Sequence, residues 1–258
     1  MSQSVPKHTI IMKIKKVLLV PLLILPFAFS TFAQEVSKRE EIALLELHAR
    51  TNGHEWTHPW DLDQPISTWY GVKVKDGKVV ALDLADNNLK GNLPLTVGNL
   101  RNLEYLDLSE NELTGRMPRE LRKFENLKYL DLSANMFKGS LPLTVNRLES
   151  LAYLDLGKNA FEGELPKSII ELRNLNSLVL ADNNFTGGMP SGMENLKKLN
   201  KLYLANNNFN DLRGLHQLSQ QQLVALDVDI KDLKYIPLDF MAPQEGTAET
   251  KFEDDNEE

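Results

Sequence analysis

One motif recurs at a fixed interval and governs everything else in this chain. The pattern Leu-x-x-Leu-x-Leu-x-x-Asn starts at Val79, Leu103, Leu127, Leu151, Leu175 and Leu199, always 24 residues apart and without an insertion. Asn87, Asn111, Asn135, Asn159, Asn183 and Asn207 fill its ninth position. Two residues later come Leu89, Leu113, Phe137, Phe161, Phe185 and Phe209, then glycine at 91, 115, 139, 163 and 187 and proline at 94, 118, 142, 166 and 190. Self-similarity at this period marks an array of stacked units, because no single unit can bury its own apolar face.

The positions have separate physical duties. Leu-x-Leu alternation makes a short strand with its leucines inward, and successive strands stack as a parallel sheet about 4.8 Å apart. The ninth-position Asn turns the chain. Its carboxamide can bond backbone groups that the turn leaves open, so stacked units make an asparagine ladder of Asn87, Asn111, Asn135, Asn159, Asn183 and Asn207. Glycine allows a backbone shape that a Cβ forbids, and proline fixes φ on the return. Val97, Leu100, Leu121, Phe124, Leu148 and Leu172 close the far side of the core.

Stretches such as Leu106-Asp-Leu-Ser-Glu-Asn111-Glu-Leu-Thr-Gly115-Arg-Met-Pro118 resemble the leucine-rich repeat family in its plant-type, 24-residue subclass, over roughly residues 40–240. The resemblance implies an α/β right-handed solenoid. Its parallel sheet would line the concave face, its convex returns would be mostly irregular or 3-10, and its N-terminal cap would be helical. It also implies extracellular recognition of a protein, peptide or glycan. The residues themselves offer no phosphate loop, G-x-S-x-G elbow or kinase segment, so no cofactor, metal or catalytic residue is expected.

Departures from the pattern locate the ends. In the sixth unit Asp211 and Gly214 replace Gly and Pro, and Leu212, Leu215 and Leu218, three residues apart, predict a helical return. A seventh unit opens at Leu223-x-x-Leu226-x-Val228, with Lys231 where Asn belongs, so residues 223–241 read as a closing cap. Asn207, next to this irregular end, is the rung expected to matter least. Ahead of the array, residues 34–78 read as an N-terminal cap. Ser37-x-x-Glu40 is a capping box for a helix through about Ala49, with Ile42, Leu45 and Ala49 on one face and Leu44 and Leu47 on another. Trp69 to Val74, then Asp76-Gly77, then Val79 predicts a hairpin that starts the sheet. Plant-type caps carry cysteines around this Trp-x-Gly-Val motif. Here Ser67 and Val74 occupy those places, so the cap must rest on Trp56, Trp60 and Trp69.

The flanks set the compartment. Met12-Lys-Ile-Lys-Lys16, an apolar run from Val17 to Phe29 and Thr31-Phe-Ala33 together resemble a secretory leader (residues 1–33) cleaved before Gln34. Thirteen apolar residues are too few to span a bilayer as a helix, which predicts a secreted, periplasmic or cell-surface protein without a transmembrane segment. Loss of the leader removes Lys7, Lys13, Lys15 and Lys16 and takes the formal charge from −7 to −11. That balance excludes a nucleic-acid role, which needs a clustered basic surface. Residues 242–258 hold seven acids and one Lys and read as a solvated, disordered tail. There is no cysteine, so disulfides and thiolate zinc sites are excluded. A monomer is expected.

Two constellations compete for function. His54-Glu-Trp-Thr-His58 fits H-E-x-x-H, the zinc-hydrolase string, but that chemistry needs both histidines on one helix. Asn52-Gly53 before it and Pro59 after it predict a loop, which leaves zinc hydrolysis a remote alternative. The concave positions three and five read Ala81/Asp83, Tyr105/Asp107, Tyr129/Asp131, Tyr153/Asp155, Ser177/Val179 and Lys201/Tyr203. The repeated Asp should form a solvent-facing column, and the wording changes after the fourth unit. Apolar and aromatic residues rimmed by charge make recognition hot spots. The candidate ligand-binding patch is therefore Tyr129, Tyr153, Asp155, Val179, Lys201 and Tyr203. The alternative is a structural or scaffold protein of the cell envelope.

Overall fold

The computed structural model describes residues 35–215, 218 and 223–228. Its main sheet has eight strands: Val72–Lys75, Lys78–Asp83, Tyr105–Asp107, Tyr129–Asp131, Tyr153–Asp155, Ser177–Val179, Lys201–Tyr203 and Ala225–Asp227. The first pair is an antiparallel hairpin closed by Asp76 and Gly77, both at positive φ as the predicted two-residue turn requires. All later neighbours are parallel and in register at the 24-residue repeat, Tyr105 opposite Tyr129 and Tyr129 opposite Tyr153. The leucines between them (Leu82, Leu106, Leu130, Leu154, Leu178, Leu202) have no exposure at all. Each such side chain stabilises the fold by about 2 kcal/mol relative to leaving it in water.

The returns are more regular than the sequence predicts. A second parallel sheet of six strands runs behind the first: Lys90–Asn92, Glu112–Gly115, Met136–Gly139, Ala160–Glu164, Asn184–Gly188 and Asn208–Asp211. Perfect periodicity explains this: units without insertions present their turn segments at one spacing, so backbone groups that would face water pair with the next unit. Phe137, Phe161, Phe185 and Phe209 stack beneath this sheet, centroids 6.1–6.2 Å apart. After each proline comes a 3-10 turn, as at Leu95–Asn99 and Leu143–Arg147. The sixth unit ends in Arg213–Leu215, also 3-10, and buries Leu212, Leu215 and Leu218. Glycine is required where the second sheet begins to turn: Gly115 sits at φ +88°, and a Cβ there would lie 2.7 Å from Asn92 Oδ1.

The asparagine ladder is a hydrogen-bond system between units. Asn135 Nδ2 donates to the carbonyls of Leu108, Leu132 and Ser133, and its Oδ1 accepts from Leu113 N–H. Asn207, expected to be the loose rung, makes the same four contacts, to Leu180, Leu204 and Ala205 and from Phe185. The exception is Asn87. Its Oδ1 turns to the cap and accepts from His58 N–H at 2.7 Å, and its fully buried Nδ2 has no partner. No repeat precedes Asn87, so the carbonyl that every other rung finds in the unit before is missing.

The cap is held by more than its tryptophans. Its helix spans Lys38–Arg50 with Ser37 as N-cap. The buried stripe is Glu40, Ala43, Leu44 and Leu47, while Ile42 and Ala49 are exposed. Of the expected face, Ile42 and Ala49 thus turn outward, whereas Leu45 is half-buried against the core. A carboxylate hid the correct stripe. Glu40, 4% exposed, accepts from Ser37 Oγ with one oxygen and from Val79 N–H of the first strand with the other. Trp56, Trp60 and Trp69 pack ring to ring at 4.7–4.8 Å, and their indole N–H groups reach the carbonyls of Thr51, Tyr70 and Gln64. Asn88 Nδ2 donates to Glu55 O at 2.7 Å, a further tie between cap and first repeat. The leader, Lys231, the rest of the closing cap and the acidic tail lie outside the described residues.

Two substitutions test these ties by urea denaturation. Asn135→Leu leaves several buried backbone groups unpaired and should cost about 3 kcal/mol, whereas Asn87→Leu removes a single accepted bond and should cost about 1 kcal/mol. Equal losses would deny the ladder its donor side. Glu40→Ala strips the buried Val79 N–H of its acceptor and should cost about 2 kcal/mol, against a few tenths for the neighbouring Glu41→Ala.

Candidate functional site: the outer face of the main sheet

Side chains at the third repeat position stand in one row across the main sheet, and those at the fifth in a second row. Tyr105, Tyr129 and Tyr153 stack face to face, centroids 4.4 Å apart at each step and planes within 9° and 2°. Each tyrosine hydroxyl donates to Oδ2 of the Asp two residues on, at 3.1, 3.2 and 3.0 Å. The other carboxylate oxygen accepts from the turn that follows, from Ser109 and Ser133 (N–H and Oγ) and from Gly157 N–H.

The Asp column is therefore not an open acidic stripe. Asp107 and Asp131 are 8% and 7% exposed, and only Asp83 at the first strand is open to solvent. The expectation of a solvent-facing column fails because each tyrosine leans along its own strand and covers the acid it bonds. Burial pushes the Asp155 carboxyl up to about 6, opposed by the Gly157 N–H bond and helped by the negative charge of Asp131. Burial likewise raises Asp131. It raises the Tyr105 hydroxyl to about 12 and those of Tyr129 and Tyr153 further, so all three remain proton donors at any ordinary pH.

These contacts sort the candidate residues. Tyr129 has a ring on both faces and offers solvent only an edge. Tyr105, left out of the candidate patch, begins the stack with one face on Tyr129. Tyr153 ends the stack. Beyond it the next strand brings Ser177, 5% exposed, and a half-buried Val179, and the one after brings an exposed Lys201 and a half-buried Tyr203. Lys201 makes no ion pair among the described residues, whereas Lys128, one row over, is tied to Glu104 at 2.6 Å. Tyr153, Asp155, Val179, Lys201 and Tyr203 are thus contiguous, with Ser177 between them. A serine in a repeat position draws no attention in a sequence, although its small size is what interrupts the tyrosine row.

The H-E-x-x-H string does not make the zinc geometry. Gly53–Glu55 is one 3-10 turn, and Trp56 after it is extended. His54 points to solvent near Glu55, and His58 stacks on Tyr70 with centroids 4.2 Å apart. The third histidine of the cap, His48, packs against Trp56 and Trp60, and desolvation lowers its pKa. His216 lies outside the described residues. Among the described residues no group of three His, Asp or Glu side chains is placed to hold a metal ion.

Asp155 gives the face a pH signature. Its folded-state pKa lies above the ordinary carboxylate value. The stability it contributes is fully present below about pH 4 and is lost as pH rises through about 6. The difference in Tm between the wild type and Asp155→Asn should therefore shift against the wild type as pH goes from 4 to 7. A flat difference over that window would place Asp155 in solvent.

Known proteins match the same features. A family model described as a leucine-rich repeat region matches residues 118–236, and one described as a leucine rich repeat matches residues 78–137. Among solved structures, a plant ice-binding protein is 27% identical with a TM-score of 0.69, over 76% of this chain and 64% of its own. The PEPR1-AtPEP1 complex gives 29% identity and a TM-score of 0.65, over 73% of this chain and 28% of the other. The BIR3 - SERK2 complex from Arabidopsis thaliana gives 27% and 0.57, over 67% of this chain and 95% of the other. This chain thus spans less than two thirds of the first two. With its 24-residue period, its asparagine ladder and these matches, the chain belongs to the leucine-rich repeat family, in its plant-type subclass.

Proposed function

We propose that this protein is a secreted, non-enzymatic recognition module that binds a protein or peptide outside the cell through the outer, concave face of its main sheet. A fold alone does not carry that reading, since similar scaffolds serve an ice-binding protein and the PEPR1-AtPEP1 complex. The observation that carries it is local. Four units repeat Asp at position five, and three of them repeat Tyr at position three in a self-satisfied stack. The next two units then present Val179, Lys201 and Tyr203, whose side chains have no hydrogen-bond or charge partner among the described residues. A face built only to stack strands would continue the same wording. Two of the similar structures are of complexes, PEPR1 with AtPEP1 and BIR3 with SERK2, which fits a module of this kind. Among the described residues no helix is long and apolar enough to cross a membrane, which is compatible with action outside the cell.

The test is capture from the native extracellular fluid by the immobilised protein, followed by identification and titration of what binds. Val179→Asp and Lys201→Glu should each weaken the recovered partner by about 5- to 30-fold, with Tm held to within a degree or two. Tyr153→Ala should weaken it as well, but at a cost in stability, because it also removes the ring packed on Tyr129. Retention of full binding by both surface variants would remove the face from consideration.

A further inference from the structure

The tyrosine stack ends in a gap of definite width. Along the third-position row the register runs Lys73, Ala81, Tyr105, Tyr129, Tyr153, Ser177, Lys201, and the fifth-position row runs on through Asp155, Val179 and Tyr203. Because the Tyr153 hydroxyl reaches Asp155 Oδ2, its ring lies along its own strand and spans both rows. Its outer face therefore looks across the next strand, where Ser177 and Val179 stand. Neither is tall enough to continue the stack. The strand beyond brings Lys201 and Tyr203 back up to ring height.

Adjacent strands are about 4.8 Å apart, which puts Tyr153 and the Lys201/Tyr203 pair about 9.6 Å apart across that gap. Within the stack one ring follows another at 4.4 Å. A single planar ring set over Ser177 would thus meet Tyr153 at the spacing the protein already uses. Among the described residues Tyr203 stacks on no ring and Lys201 pairs with no acid. Ser177 is shielded at the bottom because taller side chains stand on both sides of it, and Lys201, itself exposed, is the wall that can swing aside.

We propose that the gap between Tyr153 and Lys201/Tyr203, floored by Ser177 and Val179, is a socket for an aromatic side chain of a peptide ligand that carries a carboxylate next to that ring. This rests on the concave-face reading above and names the chemistry of its ligand. A ring suits the gap because Tyr153 offers a flat face and the strand spacing leaves one ring's width beside it, and stacked aromatic pairs gain beyond the area they bury. A carboxylate suits it because the cation at the wall, Lys201, has no ion pair among the described residues. Asp155, two strands away on the same face, is already engaged by Tyr153 and Gly157.

The probe is the tetrapeptide acetyl-Gly-Trp-Asp-Gly-amide titrated into the isotope-labelled full chain and followed by NMR. Saturable shifts at the amides of Ser177, Val179 and Tyr203 are expected in the millimolar range. Replacing the probe's Trp by Leu should weaken binding about tenfold. Replacing its Asp by Asn should weaken it about threefold at low salt, and Lys201→Glu should remove or reverse that preference. Ser177→Tyr places a fourth ring in the socket. It should abolish the shifts while Tm holds or rises, and should it fail to fold, Lys201→Glu and the peptide series decide. Equal binding of the Trp and Leu probes, no saturable shift, or full binding by folded Ser177→Tyr would overturn the socket. These failures separate from failure of the recognition reading. A partner captured in a Val179- and Lys201-dependent way but indifferent to Ser177→Tyr sinks the socket alone, and a partner indifferent to the whole face sinks the reading it rests on.

Discussion

Each unit of this protein is incomplete without the next. A strand of three residues with a single inward leucine buries nothing by itself, and its backbone has no partner strand within its own 24-residue unit. The asparagine ladder turns that insufficiency into cohesion. Asn135 gives one bond to a carbonyl 27 residues earlier and takes one from an N–H 22 residues earlier, so a single side chain closes both edges of the joint between two units. The same joint recurs at Asn111, Asn159, Asn183 and Asn207. Stability therefore belongs to interfaces rather than to units, and a strict period is its precondition.

That period propagates outward in both directions from the ladder. Behind it, aligned turns pair into a second sheet over a column of phenylalanines. In front of it, equal side chains at equal positions stack, as the tyrosines do, and they hold their own carboxylates in place. Such rows are self-satisfying, and a self-satisfying surface has little left to offer a ligand. The proposed recognition surface begins where the wording changes. The abrupt step from Tyr153/Asp155 to Ser177/Val179 and Lys201/Tyr203 leaves, among the described residues, a cation with no ion pair and a ring with no stacking partner.

The first unit shows what happens when a joint lacks a predecessor. Asn87 cannot donate as its counterparts do, and its oxygen is taken over by the cap through His58 N–H. The cap compensates with polar ties, Glu40 to Val79 at a buried position and Asn88 to Glu55 at the surface, together with three tryptophans whose indole N–H groups are all bonded. A chain without cysteine thereby closes the open end of its sheet by hydrogen bonding and aromatic packing.

Residue spacing alone determined the family, the main sheet and its register, the inward leucines, the ladder positions, the hairpin at Asp76-Gly77 and the loop nature of the H-E-x-x-H string. All of these follow from local chemistry repeated at a fixed interval. What the spacing misjudged depends on contacts between distant residues. The cap helix buries the stripe that contains Glu40, because its acceptor partner is Val79, 39 residues away. The Asp column is covered, because tyrosines that read as ligand contacts lean onto it. Asn207 is a full rung and Asn87 is not, because a rung is defined by its neighbour units and not by its own letter. Ser177 matters for what it lacks, a property visible only once Tyr153 and Lys201 stand on either side of it. A one-dimensional period fixes which residues share a row; the heights, leanings and pairings within that row are settled only when the strands are laid side by side.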